Sequence, residues 1–399
     1  MKDEVKAGNW QLSLMEEGFK PDFREQPEKY SERNNMSAVK NMDVVRKKVE
    51  EWRQEGFVEK LQRKATCNSP LTVSDKVDPE TGKIKKRVCL DLSRHVNKCL
   101  NKHHTNLEDL AATACLYQQG DYMCVFDLEN QYFHVQLAPE VRQFFGFSIQ
   151  DQDGTETAYQ FKVMIYGFAA AAAVVTRLIK PLQGYLHNKG IRTAIYMDDG
   201  QVVGATKEVT AKDMKTVLQV FQRAGWNIQW TKTVQEPRQD IKYLGFHVML
   251  ENMEYVAAPG KEREAMQLAG DLEEKIKREG KAPTREVARV VGKLVALRAS
   301  HGPVLQVATR NLQCKMGVEA TANGWDGLVE LGDREESELS WIKENLQAFN
   351  GRGIRDETGE NERWTPTGRF SGRDETGIEE KMQRAGIEGT APAYILRDD

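Results

Sequence analysis

Apolar positions follow a helical period in several stretches of the chain. In residues 169–187 the side chains on one helix face recur every three or four positions; they are Val175, Leu178, Ile179, Leu182 and Leu186. This spacing predicts a helix there, bent from inside by Pro181. The same period predicts helices over 39–61, ending near Gly56, and over 208–224.

Other stretches are rich in β-branched and aromatic residues, which predicts strands. Two strands flank the turn-forming sequence at 78–82, a hairpin is predicted within 144–164, and a single strand is predicted over 121–128. Another hairpin is predicted over 193–204. Two further stretches read as short strands, 226–230 and 243–250.

After Pro259 the helical period returns, with helices predicted over 260–279 and 284–300 and more helix after 302. These residues read as a separate helical domain. Beyond residue 350 the chain is rich in Gly, Glu and Arg and repeats the pentapeptide RDETG, a composition typical of a flexible linker.

Composition narrows the class of protein. Of 399 residues, 40% are hydrophobic and 29% charged, and no apolar run approaches the length of a membrane helix. The six cysteines show no CxxC pairing, which indicates intracellular thiols. The net charge of −3 divides into about −8 on residues 321–399 and about +5 on the rest, which is compatible with nucleic-acid binding.

Two adjacent aspartates, Asp198 and Asp199, interrupt the apolar residues of the 193–204 hairpin. The pair Asp199-Gly200 is a strong signal for a two-residue turn, and the simplest interpretation is a surface hairpin with a polar tip. A chemical role requires a third carboxylate nearby.

Asp127 supplies that candidate. It shares one strand face with Met123 and Val125, so a carboxylate ends an otherwise apolar row. Since a helix separates Asp127 from Asp198, the two strands can lie side by side. Carboxylates gathered in a sheet repel one another unless cations neutralise them. Two magnesium ions suit this site, and two-metal sites perform phosphoryl transfer.

Six motifs, in order, then resemble those of a reverse transcriptase, from about Gly18 to Leu312. They are RVCLDL for the fingers strand, FDLENQYF for motif A, IYGFAAAAAVVTRL for motif B, YMDD for motif C, AGWNIQWTKT for motif D and YLGF for the primer-grip region. The pattern looks like that of retrotransposons of the DIRS type, which are related to gypsy-type elements.

The resemblance implies an α+β fold, the right-hand polymerase, with an RRM-like antiparallel palm sheet and a helical thumb. It assigns 1–66 to an N-terminal extension and fingers helix, 67–258 to the fingers and palm, and 259–318 to the thumb. Residues 319–399 become a connection, partly disordered. The closing sequence APAYILRDD looks like the first strand of a ribonuclease H domain.

The resemblance also implies roles for individual residues. Asp127, Asp198 and Asp199 become catalytic ligands of two Mg²⁺ ions, which Mn²⁺ can replace. Lys232 matches the lysine of motif D that assists pyrophosphate departure, or else is a solvent-exposed turn lysine. Tyr132 matches an aromatic gate against the ribose 2′-hydroxyl; the alternative is a core tyrosine.

The remaining implied contacts bind the deoxynucleoside triphosphate. Arg87 stands four residues before Asp91, as in the fingers motif, and can reach the triphosphate. Lys85 and Lys86 are alternatives for that contact, whereas the spacing prevents assignment of Arg94. Tyr166 and Gly167 are retained in kind from motif B and are assigned to binding the deoxynucleoside triphosphate. The five alanines that follow, 169–173, would let the helix approach the nascent base pair closely.

The sequence departs from the family pattern at three positions. Ile165 and Ala172 replace the two prolines of motif B, and Gly200 replaces a bulky apolar residue, which should loosen the packing beside the aspartates. Two other sets of residues lack a partner pattern and are assigned to structure: His103-His104, and Trp226 with Trp230.

The function predicted from these residues is RNA-directed DNA synthesis. Its expected partners are a template-primer of RNA or DNA and deoxynucleoside triphosphates, and its expected location is intracellular, in the cytoplasm or the nucleus. No membrane partner is expected, and no oligomeric state is predicted. One alternative is a decayed or domesticated element that binds nucleic acid without catalysis, which the altered motif B favours. Another is an RNA-dependent RNA polymerase, against which Tyr132 argues.

Overall fold

The computed structural model describes residues 5, 7–77, 82–101, 105 and 107–354. Several predicted features therefore lie outside the described residues: most of the 78–82 turn, His103-His104, the RDETG repeats and the proposed ribonuclease H strand. No helix in the described part of the chain is both long and apolar enough to span a membrane.

The helices, in chain order, are α1 (Asn9–Glu17), α2 (Met36–Lys40), α3 (Met42–Gln54), α4 (Leu110–Thr113), α5 (Ala171–Asn188), α6 (Lys207–Arg223), α7 (Pro259–Glu279), α8 (Thr284–Val295), α9 (Arg298–His301), α10 (Val304–Ala308), α11 (Arg310–Asn323) and α12 (Asp333–Asn345). Short 3-10 helices cover Val96–Cys99, Ala114–Leu116, Gln131–His134, Pro139–Phe144 and Leu346–Phe349.

The strands, in chain order, are β1 (Tyr30–Ser31), β2 (Val58–Leu61), β3 (Cys67–Asn68), β4 (Leu71–Val77), β5 (Ile84–Leu90), β6 (Tyr122–Asp127), β7 (Gly146–Gln150), β8 (Glu156–Phe161), β9 (Arg192–Tyr196), β10 (Asp199–Gly204), β11 (Val234–Arg238), β12 (Asp240–Tyr243), β13 (Phe246–Met249), β14 (Glu254–Ala257), β15 (Lys281–Pro283), β16 (Leu328–Glu330) and β17 (Arg352–Gly353).

The central sheet of the first unit is antiparallel and has the strand order β11-β6-β10-β9. Helices α5 and α6 contribute their apolar faces to the same core as this sheet. Thr206 caps α6, because its side chain accepts a hydrogen bond from the backbone N–H of Val209. On β6, Phe126 packs against Phe221 of α6 with the ring centroids 5.5 Å apart.

The helix predicted over 39–61, with its end near Gly56, does end close to that residue. It comprises α2 and α3 and ends at Gln54, after which Gly56 adopts a φ of +76°. Residues Val58–Leu61 then form β2 and pair with β8 in a five-stranded sheet. The helical spacing over those four residues was misleading, because cross-strand pairing decides their conformation.

Two predicted short strands differ from the structure: the first is interrupted by a turn, and the second is almost entirely without strand pairing. Within 243–250, Leu244 and Gly245 have φ values of +46° and +79° and form the two-residue turn between β12 and β13. Within 226–230, Ile228 alone makes a bridge, to Leu128. Phe246–Met249 do form β13 as predicted, so the sequence missed only the turn in 243–250 and was wrong for 226–230. Short apolar runs do not distinguish strands from other structures.

The chain divides at Gly260 into two compact units, and the second contains residues 261–352 among those described. The helix predicted over 284–300 is interrupted after Val295 and resumes as α9. Residues 319–352, predicted as a connection, form β16 and α12 in this unit. The carboxylate of Glu273 on α7 accepts hydrogen bonds from Lys277 and Lys343, and these lower its pKa to about 2.

Gly200 does not loosen the packing, contrary to the expectation from sequence. A Cβ atom at this position would lie 2.2 Å from Cζ of Phe126, so the buried phenyl ring fills the space that a larger residue would need. The substitution of a bulky residue by glycine is therefore matched by a large aromatic residue on the neighbouring strand.

We predict that Gly200→Ala lowers the free energy of unfolding by about 1–3 kcal/mol, because a buried ring must move. Gly184→Ala is the matched control: Gly184 lies on an exposed part of α5 with no atom within 4 Å of the new Cβ. The control should stabilise the helix by about 0.5–1 kcal/mol. Urea unfolding followed by circular dichroism measures both, and equal effects would contradict the packing argument.

Candidate active site

Three aspartates converge where β6 meets the β9–β10 hairpin. In the antiparallel pairing of β6 with β10, Asp199 is the direct partner of Asp127. Asp198 occupies the turn that precedes β10, and its backbone carbonyl accepts a hydrogen bond from the N–H of Leu128 at 2.8 Å. The pairing thus joins two aspartates that are distant in sequence.

The hairpin turn is not the predicted one. Asp199 already pairs with Tyr196 across the hairpin, so the two turn residues are Met197 and Asp198. Met197 takes a φ of +56°, a conformation that residues other than glycine adopt infrequently. The Asp199-Gly200 dipeptide was therefore a misleading turn signal, and the surface-hairpin interpretation placed the turn two residues too late.

The carboxylates share a strongly negative environment. Burial raises the pKa of Asp198, and the nearby charge of Asp127 raises it further. Burial and then the charges of Asp198 and Asp127 raise the pKa of Asp199 to about 6. Asp127 itself is only 5% exposed. This arrangement is unfavourable for ionised groups unless a cation compensates for their charge.

Lys232 provides one such cation. Its Nζ donates a hydrogen bond to Oδ2 of Asp127 at 2.5 Å. The lysine follows a turn whose first residue, Gln229, donates its backbone N–H to the carbonyl of Asp127 at 2.8 Å. Thr233 adds a second link, because its hydroxyl accepts from the N–H of Asp127 and donates to the carbonyl of Gln229. The structure thus brings Lys232 to the aspartates as expected.

The carboxylate oxygens of Asp127, Asp198 and Asp199 are of the type that Mg²⁺ prefers. Burial and then the charges of Asp198 and Asp127 disfavour the ionised form of Asp199, and a nearby cation would offset that effect. As they stand, no three acidic, His or Cys side chains among the described residues form a group close enough to hold a metal ion. Asp127 instead pairs with Lys232. The donors fit a hard cation in chemistry, although they are not gathered around one point.

Tyr132 lies in the 3-10 helix after β6 and is 6% exposed. Its ring meets that of Tyr166 edge to face, with the centroids 4.8 Å apart. Tyr166 is 39% exposed, and burial followed by the charge of Asp198 raises its pKa to about 12. The two predicted tyrosines therefore form one aromatic wall beside the aspartates, and Tyr132 is also a core residue.

Gly167 is held by a contact that sequence reasoning missed. Nδ2 of Asn97 donates to the carbonyl of Gly167, and Oδ1 accepts from the N–H of Ala169. Gly167 has a φ of +94°, and a Cβ there would lie 2.5 Å from the carbonyl oxygen of Leu90. Only glycine fits this close approach. The only sequence feature that could have pointed to Asn97 is its position shortly after the fingers strand.

Arg87 extends from β5 and is exposed. Its positive charge counters the rise in the pKa of both Tyr166 and Asp198, which places its guanidinium in electrostatic range of the site. Lys86, an alternative for the same role, is paired with Asp75 at 3.0 Å.

Lys76 was not selected from the sequence. Its positive charge counters the rise in the pKa of Asp199. Arg94, which could not be assigned from spacing, pairs with Glu32 and Asp91. A lysine on a strand carries no sequence signal that separates it from a solvated residue.

The two tryptophans assigned to structure differ in environment. Trp226 is 5% exposed and packs against His134, with the ring centroids 5.1 Å apart. Trp230 is 50% exposed and lies on the turn that carries Lys232. The structural assignment is right for Trp226, whereas Trp230 is a surface side chain.

Comparison with known proteins shows which proteins the chain resembles. Residues 76–248 match the family model described as reverse transcriptase (RNA-dependent DNA polymerase). The Gag-Pol polyproteins of Rous sarcoma virus subgroup B and avian leukosis virus subgroup A are each 27% identical over 148 residues, which is 36% of this chain and 9% of theirs. Residues 76–248 therefore resemble a reverse transcriptase domain, and the chain spans a small fraction of the length of those relatives.

Solved structures extend the likeness beyond that domain. The foamy viral protease–reverse transcriptase in complex with RNA/DNA hybrid matches with a TM-score of 0.60 at 15% identity, over 88% of this chain and 46% of that one. The same protein in complex with dsDNA matches with a TM-score of 0.59 at 15% identity, over 89% of this chain and 73% of that one. The predicted α+β, right-hand polymerase fold is confirmed.

The raised pKa of Asp199 makes a prediction about stability. Because its folded-state pKa, about 6, exceeds the ordinary value of 3.8, the protonated form is favoured in the fold. This contribution is present below the ordinary pKa and is lost as pH rises through about 6. Asp199→Asn should therefore stabilise the metal-free protein at pH 7.5 by about 1–2 kcal/mol, allowing for solvent screening.

Chemical unfolding in a chelator at pH 4 and pH 7.5 measures this effect, and the gain should vanish at pH 4. Asp271→Asn, on the exposed surface of α7, removes the same charge elsewhere. It should change stability by less than about 0.5 kcal/mol at both pH values. A gain of equal size at pH 4 and pH 7.5 would contradict the electrostatic explanation.

Proposed function

We propose that this chain is an RNA-directed DNA polymerase, a nucleotidyltransferase that adds deoxynucleotides to a primer 3′-hydroxyl. The observation that carries the proposal is the pairing of Asp127 with Asp199, beside Asp198 and Lys232, within the domain that matches the reverse transcriptase family. Such a cluster of carboxylates, with a cation bound to it, suits phosphoryl transfer.

The family generally uses divalent metals, and we assign Asp127, Asp198 and Asp199 as the residues that would hold two Mg²⁺ ions, or Mn²⁺ in their place. When bound, these ions would lower the pKa of the attacking hydroxyl and offset the charge that develops on the leaving pyrophosphate. Burial and then the charges of Asp198 and Asp127 raise the pKa of Asp199 to about 6, which supports this assignment because a divalent cation would offset both effects.

Other side chains in the site bind and orient the reactants. Arg87 would contact the triphosphate, since its charge already acts on the site and a guanidinium binds phosphate oxygens bidentately. Tyr166 and Gly167 are both exposed and would contact the incoming deoxynucleoside triphosphate. Tyr132 packs edge to face against Tyr166 and would occupy the space of a ribose 2′-hydroxyl.

The partners of the proposed enzyme are an RNA or DNA template-primer and deoxynucleoside triphosphates. The foamy viral reverse transcriptase was solved with RNA/DNA hybrid and with dsDNA, which supports such a duplex as the ligand. Residues 67–258 would form fingers and palm after the extension 1–66. The helices of 259–318 would form the thumb, and 319–399 the connection.

The element that encodes this chain is, in our proposal, a retrotransposon of the DIRS type, related to gypsy-type elements. The order and residues of the six motifs support this, and the likeness to Gag-Pol polyproteins supports an origin in a retroelement. Since template and deoxynucleotides are found inside the cell, the proposed site of action is the cytoplasm or nucleus.

We predict that the protein extends a DNA primer on an RNA template with Mg²⁺ and dNTPs, whereas rNTPs give no extension. Asp198→Asn should reduce extension by more than about 100-fold, because it removes a charge that the reaction requires. Asp271→Asn is the matched control. Extension with rNTPs would indicate an RNA polymerase, and tight template-primer binding without extension, in Mn²⁺ as well, would indicate a decayed enzyme.

A second prediction concerns sugar selection. Tyr132→Ala should raise the ratio of rNTP to dNTP incorporation at least about tenfold, because it removes the ring at the proposed gate. Tyr132→Phe keeps the ring and should retain the wild-type ratio. Single-nucleotide incorporation with each substrate gives this ratio. An unchanged ratio in Tyr132→Ala, with the protein folded and active on dNTPs, would assign the tyrosine to the core alone.

A further inference from the structure

The contact between Lys232 and Asp127 joins an exposed side chain to a buried one. The aspartate carboxylate is 7% exposed, whereas the lysine side chain is 62% exposed. Their 2.5 Å hydrogen bond therefore connects a buried, fixed anion to the tip of a long arm that lies mostly in solvent. Only the ammonium end of the lysine side chain contacts the aspartate.

The base of this arm is fixed to the strand that carries the aspartate. Gln229 and Thr233, on either side of Lys232, both make hydrogen bonds with the backbone of Asp127. The turn between them is closed by the N–H of Lys232, which donates to the carbonyl of Gln229 at 3.1 Å. The four-carbon stem can therefore swing while its Cα stays beside β6.

We propose that Lys232 is a displaceable cation that neutralises Asp127 in the metal-free protein and is released when a divalent metal takes that carboxylate. This inference rests on the proposed function, because it assumes that the aspartates hold metal. Lys232 would then have two positions: paired with Asp127 before the metal binds, and near the pyrophosphate, where the resemblance implies its role, afterwards. The released ammonium becomes free to serve there only after the metal has bound.

The relative strength of the two interactions supports this exchange. An ion pair with one exposed partner is weak, since water screens it and the flexible arm loses rotamer freedom on binding. A divalent ion carries twice the charge and draws on more than one carboxylate. The metal therefore wins the competition, while the lysine reduces its apparent affinity by the strength of the ion pair.

The test is a Mn²⁺ titration of the full chain without nucleotide or nucleic acid, read by electron paramagnetic resonance of free Mn²⁺. Lys232→Met should bind Mn²⁺ about fivefold more tightly than wild type, since it removes the competitor. Lys76→Met is the matched control, because Lys76 acts on Asp199 through its charge without a bond to Asp127. It should change the affinity less than twofold.

A second measurement reads the arm directly. Acetylation of Lys232 by acetic anhydride, followed by mass spectrometry, should become severalfold faster when Mn²⁺ is added to the wild type. In Asp127→Asn it should be fast already and insensitive to Mn²⁺. This readout needs no substituted lysine, so a folding defect in Lys232→Met does not affect it.

Several outcomes would overturn the proposal: equal gains in affinity for Lys232→Met and Lys76→Met, no gain in Lys232→Met, or an acetylation rate that Mn²⁺ leaves unchanged. Absence of Mn²⁺ binding to the wild type would overturn both this proposal and the metal assignment. Metal-dependent release of Lys232 without primer extension would support this inference and count against the proposed polymerase activity alone.

Discussion

The register between β6 and β10 is the constraint on which the site depends. Because strand side chains alternate between faces, a shift by one residue would turn one of the two paired aspartates away from the other. Phe126 helps to fix this register, since its ring fits only over a residue without a side chain. A shift would place Asp199 or Gln201, rather than Gly200, beneath the ring. Hydrophobic packing thus determines where the charges lie.

The same register creates an electrostatic problem that the surrounding structure must tolerate. Asp127 is almost fully buried, and the pKa of Asp198 and that of Asp199 are both raised. A buried carboxylate without a partner costs several kcal/mol, on the order of the whole stability of a domain. The ion pair with Lys232 removes part of this cost. Because the clustered carboxylates are unfavourable without a compensating charge, binding a cation at this site lowers the free energy of the folded protein.

Sequence reasoning predicted the elements with a clear period and the residues that define motifs. Asp127, Asp198 and Lys232 lie together as expected, because the motif order constrains the topology strongly. The errors concern features that only tertiary contacts decide. The turn at Met197 was misplaced because the pairing with β6 overrides the local Asp-Gly preference. The tight fit of Gly200 depends on a phenyl ring 74 residues earlier, which no local pattern announces.

The altered motif B shows how tertiary contacts can replace a sequence signal. Two prolines that would stiffen this segment are absent, and Ile165 stands where the first would be, buried in the core. Asn97 instead holds the segment from outside through its bonds to Gly167 and Ala169. The close approach of Gly167 to the carbonyl of Leu90 fixes the backbone beside the fingers strand. Since these contacts restrain the same backbone that proline would, the loss of the prolines is weak support for a decayed enzyme.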